Sequence, residues 1–216
     1  MSDTHGRPLS KWVVPDGDVF IHCGDFSKNK KLKSVIDFNA SLEMLPHKHK
    51  LVVAGNHDWA LQLQSEAARA ALSAATYLQD EAVTINGVKF YGCPWQPEYR
   101  NWAFNLPRAS LELKEKWAQV PEDVDVLITH TPPNTVRDMV YPRGEQAGCA
   151  QLRWRLEYIN AILHVFGHVH EGRGEEMVNN TLCVNASSTN TKYKVVPTVI
   201  VIDLDTEART ATLVQI

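Results

Sequence analysis

The chain has 216 residues, 44% of them hydrophobic and 22% charged, which suits one packed domain over residues 1–216 and is short for two. A formal net charge of −3 argues against stable binding to nucleic acid, and no apolar run approaches the ~18 residues that a membrane span needs. Met1-Ser2-Asp3-Thr4-His5-Gly6 carries no basic or apolar leader, and the four cysteines form no C-x-x-C pair, so a cytoplasmic protein with reduced thiols is expected.

In chain order, Asp18 to Cys23 is a short apolar run stopped by Gly24-Asp25, a strand ending on a loop. Val35, Phe38, Leu42 and Leu45 recur at helical spacing, which predicts a helix over about 33–45, closed by Pro46. Lys50 to Ala54 reads as a strand running into Gly55-Asn56-His57-Asp58, followed by an Ala-rich helix over 59–72. Asn86-Gly87 between two alternating runs, 82–85 and 88–91, marks a hairpin. The stretch 94–107, rich in Trp, Tyr, Asn and Pro, reads as an ordered surface loop. A helix is expected over 111–118, a strand over 125–129 ending on His130, and a helix over about 149–158. Leu163 to Phe166 is a strand ending on Gly167-His168-Val169-His170, and further strands are expected over about 181–185, 198–203 and 210–216. Alternating strands and helices point to an α/β or layered α/β/β/α fold.

At Gly24-Asp25, Gly55-Asn56-His57, His130 and Gly167-His168 an apolar strand runs into a loop bearing a metal-competent side chain. Ligands gather outside the carboxyl ends of strands in α/β sheets, so these loops are expected to meet. The candidates are Asp3, His5, Asp25, Asn56, His57, His130, His168 and His170. Imidazole and carboxylate donors without thiolates suit manganese, iron or zinc. The set is too large for one tetrahedral ion and fits two divalent ions sharing a carboxylate, which can hold a phosphoryl group and acidify a water between them.

Asp3-Thr4-His5, Gly24-Asp25, Gly55-Asn56-His57-Asp58, the lone His130 and Gly167-His168-Val169-His170 stand in the motif order of the calcineurin-like metallophosphoesterases, which this chain resembles. Trp95-Gln96-Pro97, 101–108 and 164–172 are similar to the mammalian metallophosphoesterase-domain-containing subfamily, itself similar to class III cyclic nucleotide phosphodiesterases. The resemblance implies a four-layer α/β/β/α sandwich. It implies Asp3, His5, Asp25 and His170 at a first metal and Asn56, His130 and His168 at a second, with Asp25 bridging. His57 would face the scissile phosphate as a catalytic group, and Asp58 would orient its imidazole. The implied activity is hydrolysis of small phosphodiesters such as cyclic nucleotides by a hydroxide held between the metals. The alternatives are a phosphomonoesterase or protein phosphatase on the same core, and a catalytically silent metal-stabilised scaffold. Family members have a core strand ahead of D-x-H where this chain has Met1 and Ser2; a first strand truncated in this way is expected to leave Asp3 and His5 on a loosely held terminus.

Several residues admit plainer roles. His47 and His49, between lysines, are expected to be solvated, and His22 and His164, inside strands, to be packed. Trp95, Tyr99, Asn101 and Trp102 are candidates for lining a pocket that stacks a nucleobase, with packing onto the sheet as the simpler reading. Arg108, Arg137 and Arg143 are candidates for meeting phosphate oxygens, with solvated roles simpler for each.

Overall fold

A computed structural model describes residues 1–214 of the chain, so the last two residues of the strand expected over 210–216 lie outside the described residues. Strands β1 (Val19–His22), β2 (His49–Val52) and β3 (Thr76–Tyr77) form a parallel three-stranded sheet. The strands β4 (Glu81–Ile85) and β5 (Val88–Cys93) make the hairpin expected from Asn86-Gly87, whose φ angles of 50° and 85° are those a tight two-residue hairpin turn needs. Two short pairs, β6 (Gln96–Pro97) with β7 (Asn105–Leu106) and β9 (Met139–Val140) with β10 (Glu145–Gln146), flank β8 (Val126–Thr129) in the chain. The strands β11 (Leu163–Phe166), β12 (Gly174–Val178) and β13 (Thr181–Asn185) complete a six-stranded sheet in the order β12-β13-β11-β8-β5-β4. A C-terminal hairpin joins β14 (Val201–Asp205) to β15 (Thr210–Val214).

Side-chain alternation along these strands builds the layers. Val19, Ile21, Leu51 and Val53 from the small sheet meet Phe90, Val126, Ile128, Leu163, Val165, Leu182 and Val184 from the large one in a core between the sheets. The opposite faces differ. Phe20, Val52 and Ala54 pack with α1 (Leu32–Glu43), α2 (Trp59–Leu63) and α3 (Ser65–Ala71). Tyr91, Cys93, Leu127, Phe166 and Cys183 pack with α4 (Leu111–Ala118) and α5 (Ala150–Arg155). Helix, sheet, sheet, helix is thus the order of the layers.

Three expectations need correction. The helix over 59–72 is two helices broken at Gln64 (φ −133°), just after Gln62, whose side chain accepts the Phe104 N–H at 3.0 Å. The stretch 94–107 is more than a surface loop, because Ala103 and Phe104 are buried and β6 pairs with β7. His47 is buried against Phe20, with ring centroids 5.6 Å apart, where its position among lysines suggested solvent. His22 and His164 are buried as expected, and all four cysteines are free and buried.

The N-terminus is also held more firmly than expected. The Met1 ammonium donates to Ile21 O and Cys23 N–H to Met1 O, each at 2.9 Å, so Met1 lies along the edge of β1. Ser2 bridges in parallel to Ser187. Backbone donation from Asp3 to Gly24 O, His5 to Asp25 O and Gly6 to Phe26 O then ties the D-x-H segment to the loop after β1. Beside it an apolar cavity of about 510 Å³ opens between the sheets, lined by Ile21, Val165, Val184 and Ile202 among others.

Candidate metal centre

The parallel strands β1, β2, β8, β11 and β13 all point their carboxyl ends the same way, and the loops that follow them converge. Asp25, Asn56, His130 and His168 come from four of those ends, while Asp3 and His5 arrive along the edge of β1. All seven expected ligands, and His57, stand together.

Asp25 is at the middle. Its Oδ1 lies 3.5 Å from His130 Nε2, while its Oδ2 lies 4.0 Å from His5 Nε2 and 3.9 Å from His57 Nε2. On one side, His5 Nε2 and His170 Nε2 face each other at 3.2 Å, and His170 Nε2 is 3.5 Å from Asp3 Oδ1. On the other, His130 Nε2 is 2.9 Å from Asn56 Oδ1, and the His130 and His168 rings stand edge to face at 5.0 Å. The outer nitrogens fix the tautomers: His170 Nδ1–H donates to Asn190 O at 3.0 Å and His130 Nδ1–H to Cys23 O at 2.7 Å. Both Nε2 atoms therefore face inward, as those of metal-ligating histidines do.

Burial and these neighbours set the charges of the metal-free groups. Burial disfavours a charged Asp3 or Asp25, but the surrounding histidines more than reverse it and hold both carboxyls well below their usual range. Burial lowers His5 to about 4 and His168 to about 3, leaving both imidazoles neutral. At His130 and His170 burial is outweighed by Asp25 and by Asp3 respectively, raising each to about 9. Imidazole nitrogens and carboxylate oxygens converging in this way fit divalent cations, which would displace the second protons held on His130 and His170. Asp3 with His5 and His170, and Asp3 with Asp25 and His130, each offer ligand atoms within 4.8 Å of one another.

Asp3, His5, Asp25 and His168 all have positive φ, between 47° and 68°, which costs an L-residue about 1–2 kcal/mol. Buried hydrogen bonds oppose that cost: Asp3 accepts from Ser187 Oγ at 2.6 Å and from His168 N–H at 3.1 Å, and Asp25 accepts the His57 N–H at 2.8 Å.

Asp58 stands otherwise than expected. Its carboxylate does not take the His57 ring; it accepts the backbone N–H groups of Asp25, Gly55 and Ser27 at 2.7–2.8 Å, fully buried. Three donors close at hand outcompete an imidazole that is partly open to solvent. Arg137 donates to Gly172 O at 2.8 Å and Arg108 to Gly148 O at 3.1 Å, so both are engaged by backbone. Trp95 lies away from the centre, bonded to Asp80, while Tyr99 and Trp102 line the cleft over it. Tyr193, Ser187 and Asn190 were not expected there. The run Ala186-Ser187-Ser188-Thr189-Asn190 follows a strand, so the strand-end rule could have found the last two; nothing local marks Tyr193.

The chain is 39% identical over 232 residues to human metallophosphoesterase domain-containing protein 1, covering 95% of this chain and 70% of that protein. It is 42% identical over 204 residues to UPF0046 protein K07C11.7 of Caenorhabditis elegans, covering 88% and 69%. One solved crystal structure superposes with a TM-score of 0.73 at 20% identity, covering all of this chain and 96% of that one. The crystal structure of TT1561 of Thermus thermophilus does so at 0.56 and 16% identity, covering 91% and 85%. The family profile described as calcineurin-like phosphoesterase matches residues 1–172, and this chain belongs to that family.

Proposed function

We propose that this chain hydrolyses small phosphodiesters, nucleotide diesters among them, at two divalent cations. Asp25 carries the reading: one oxygen faces His130 and the other faces His5, so a single carboxylate can serve two ion sites. Asp3, His5 and His170 would complete one site, and Asn56, His130 and His168 the other. When bound, such a pair of cations supplies Lewis acidity toward the phosphoryl oxygens and lowers the pKa of a water.

The chain's own groups do the rest. His57 Nε2 lies 3.9 Å from Asp25 Oδ2, and its side chain is 31% exposed, so it can reach a bound ester while remaining close to the centre. It would give a proton to the departing oxygen, a role typically worth ~10²–10⁴-fold. One water is consumed, one P–O bond breaks, and a monoester and an alcohol leave. The diester preference rests on the resemblance to class III cyclic nucleotide phosphodiesterases.

The test is release of p-nitrophenol from bis(p-nitrophenyl) phosphate by the full chain, metal-stripped and then given manganese, beside p-nitrophenyl phosphate. Manganese-dependent release favouring the diester is expected. Faster release from the monoester would turn the reading to a phosphomonoesterase, and no release from either by folded, metal-loaded protein would leave the scaffold. His57→Ala should lose most turnover while binding manganese as the parent does; unchanged turnover would remove His57 from the chemistry.

A further inference from the structure

Aromatic rings stand on both sides of the metal centre. The Trp102 ring lies 5.1 Å from His57 and 6.4 Å from His168, at the edge formed by the second ligand group. Tyr193 lies 4.8 Å from His5 and 5.4 Å from His170, at the edge formed by the first. Between them is a cleft of about 310 Å³.

Neither ring is loosely placed. Trp102 is braced edge to face by Tyr99 at 5.4 Å, and the next residue, Ala103, donates its N–H to Asn56 O at 3.1 Å. The loop bearing Trp102 is thereby tied to the loop bearing a ligand and His57. Tyr193 N–H donates to Asn190 O at 2.7 Å, the same carbonyl that orients His170, and Arg7 holds the Tyr193 carbonyl. Yet Tyr193 and Tyr99 are 45% and 41% exposed. Aromatic residues held by a backbone framework and left open beside a reactive centre are surfaces for a flat group.

We propose that Trp102 and Tyr193 are the specificity walls of the site, each receiving a flat aromatic group carried on one arm of a phosphodiester. The proposal rests on the reading of this centre as a phosphodiesterase and names its substrate class: diesters with an aryl group or nucleobase on both arms. Trp102 touches the ring of His57, the proposed proton donor, so its wall takes the arm that leaves when the P–O bond breaks. The proton passes to that oxygen, and the retained arm stays on phosphorus beside Tyr193.

Two substrates separate the walls. Bis(p-nitrophenyl) phosphate has an aryl group on both arms; ethyl p-nitrophenyl phosphate has one only on the arm that leaves. With the manganese-loaded full chain, Trp102→Ala should raise KM about tenfold for both. Tyr193→Ala should instead lower the ratio of kcat/KM between the two about tenfold. Trp102→Phe and Tyr193→Phe should restore most of each loss, because a ring remains. Bound manganese, measured on every variant, should match the parent.

A second readout needs no turnover. Phenylphosphonate should bind the manganese-loaded chain about tenfold tighter than methylphosphonate by calorimetry, and Trp102→Ala combined with Tyr193→Ala should remove the difference. Equal affinity for the two phosphonates would overturn the walls, as would variants whose loss tracks loss of manganese, since the rings would then only shelter the ligands. If the parent hydrolyses neither diester, the phosphodiesterase reading fails, and the phosphonate pair still decides whether the walls exist.

Discussion

Asp58 Oδ2 accepts the backbone N–H of Asp25 at 2.8 Å, so a carboxylate outside the cleft sets the position of the carboxylate at its centre. The same oxygen accepts from Gly55 at 2.7 Å and Oδ1 accepts from Ser27 at 2.8 Å, which joins the loops after β1 and β2. Asp58→Asn keeps the shape but turns an NH₂ toward buried donors, leaving at least one N–H without an acceptor. The expected loss is about 3 kcal/mol of folding stability in metal-stripped protein, read from urea denaturation, with weaker manganese binding. His57→Ala, one residue earlier, should change neither. An Asp58→Asn protein with the parent's midpoint and manganese affinity would show that these hydrogen bonds do not position Asp25.

Two glycines separate crowding from backbone conformation. A Cβ on Gly55 would stand 2.5 Å from Asp25 N and 2.7 Å from His130 Cε1, against backbone and a packed ring that cannot yield. Gly55→Ala is expected to cost about 2 kcal/mol or more and to abolish manganese-dependent turnover. Gly87 meets nothing within 4 Å of an added Cβ, but its φ is +85°, so Gly87→Ala should cost only about 1 kcal/mol and leave turnover intact. Urea midpoints and p-nitrophenol release on both variants check the pair; equal behaviour would mean that the close approach at Gly55 is not what holds the two loops.

What the sequence made legible was whatever depends on local pattern. Helix α4 falls at Leu111–Ala118 as expected, with Ser110 Oγ accepting the Leu113 N–H at 3.1 Å as its cap. Asp25, Asn56, His130 and His168 were identifiable because each follows an apolar run at the end of a strand. Strand β12 was not foreseen: its Glu175-Glu176-Met177 lies at the edge of the large sheet, exposed, and owes its conformation to pairing with β13. The break at Gln64 was hidden because it goes with a contact to Phe104, forty residues away. Tyr193 reaches His5 across 188 positions, through a turn whose shape depends on Asn190 and Arg7. Asp58 illustrates the same limit: its neighbour in sequence suggested a partner, and folding brought three better ones.

Acid should unfold this chain partly through His164. It is buried with Nε2 2.9 Å from Thr129 Oγ1, and burial lowers it from 6.5 to about 3. Above pH 6.5 the ring is neutral in both folded and unfolded states, and its contribution to stability is fully present. Between pH 6.5 and about 3 the unfolded chain takes a proton that the folded chain refuses, so stability falls as pH falls, by up to about 1.4 kcal/mol per pH unit. Urea denaturation of metal-stripped protein at stepped pH should show that slope, reduced by one proton in His164→Gln. His22, also lowered by burial, keeps part of the slope in the variant. An unchanged slope in His164→Gln would mean that this ring does not stay neutral in the fold.

Metal loading should stabilise the fold through the same atoms that are proposed for catalysis. His5 Nε2 and His170 Nε2 converge at 3.2 Å and Asp25 presents an oxygen to each side, an arrangement that exists only in folded protein. A ligand that binds only the folded state at 100 times its Kd adds about 2.7 kcal/mol. For a chain of this size that is a rise in Tm of about 5–10 °C. Manganese should produce it in metal-stripped protein and a chelator should reverse it. Asp25→Asn, which keeps the volume but removes the shared charge, should lose most of the rise, whereas His57→Ala should retain it. If manganese raises the Tm of Asp25→Asn as much as that of the parent, Asp25 does not join the two ligand groups, and the case for a two-ion centre fails with it.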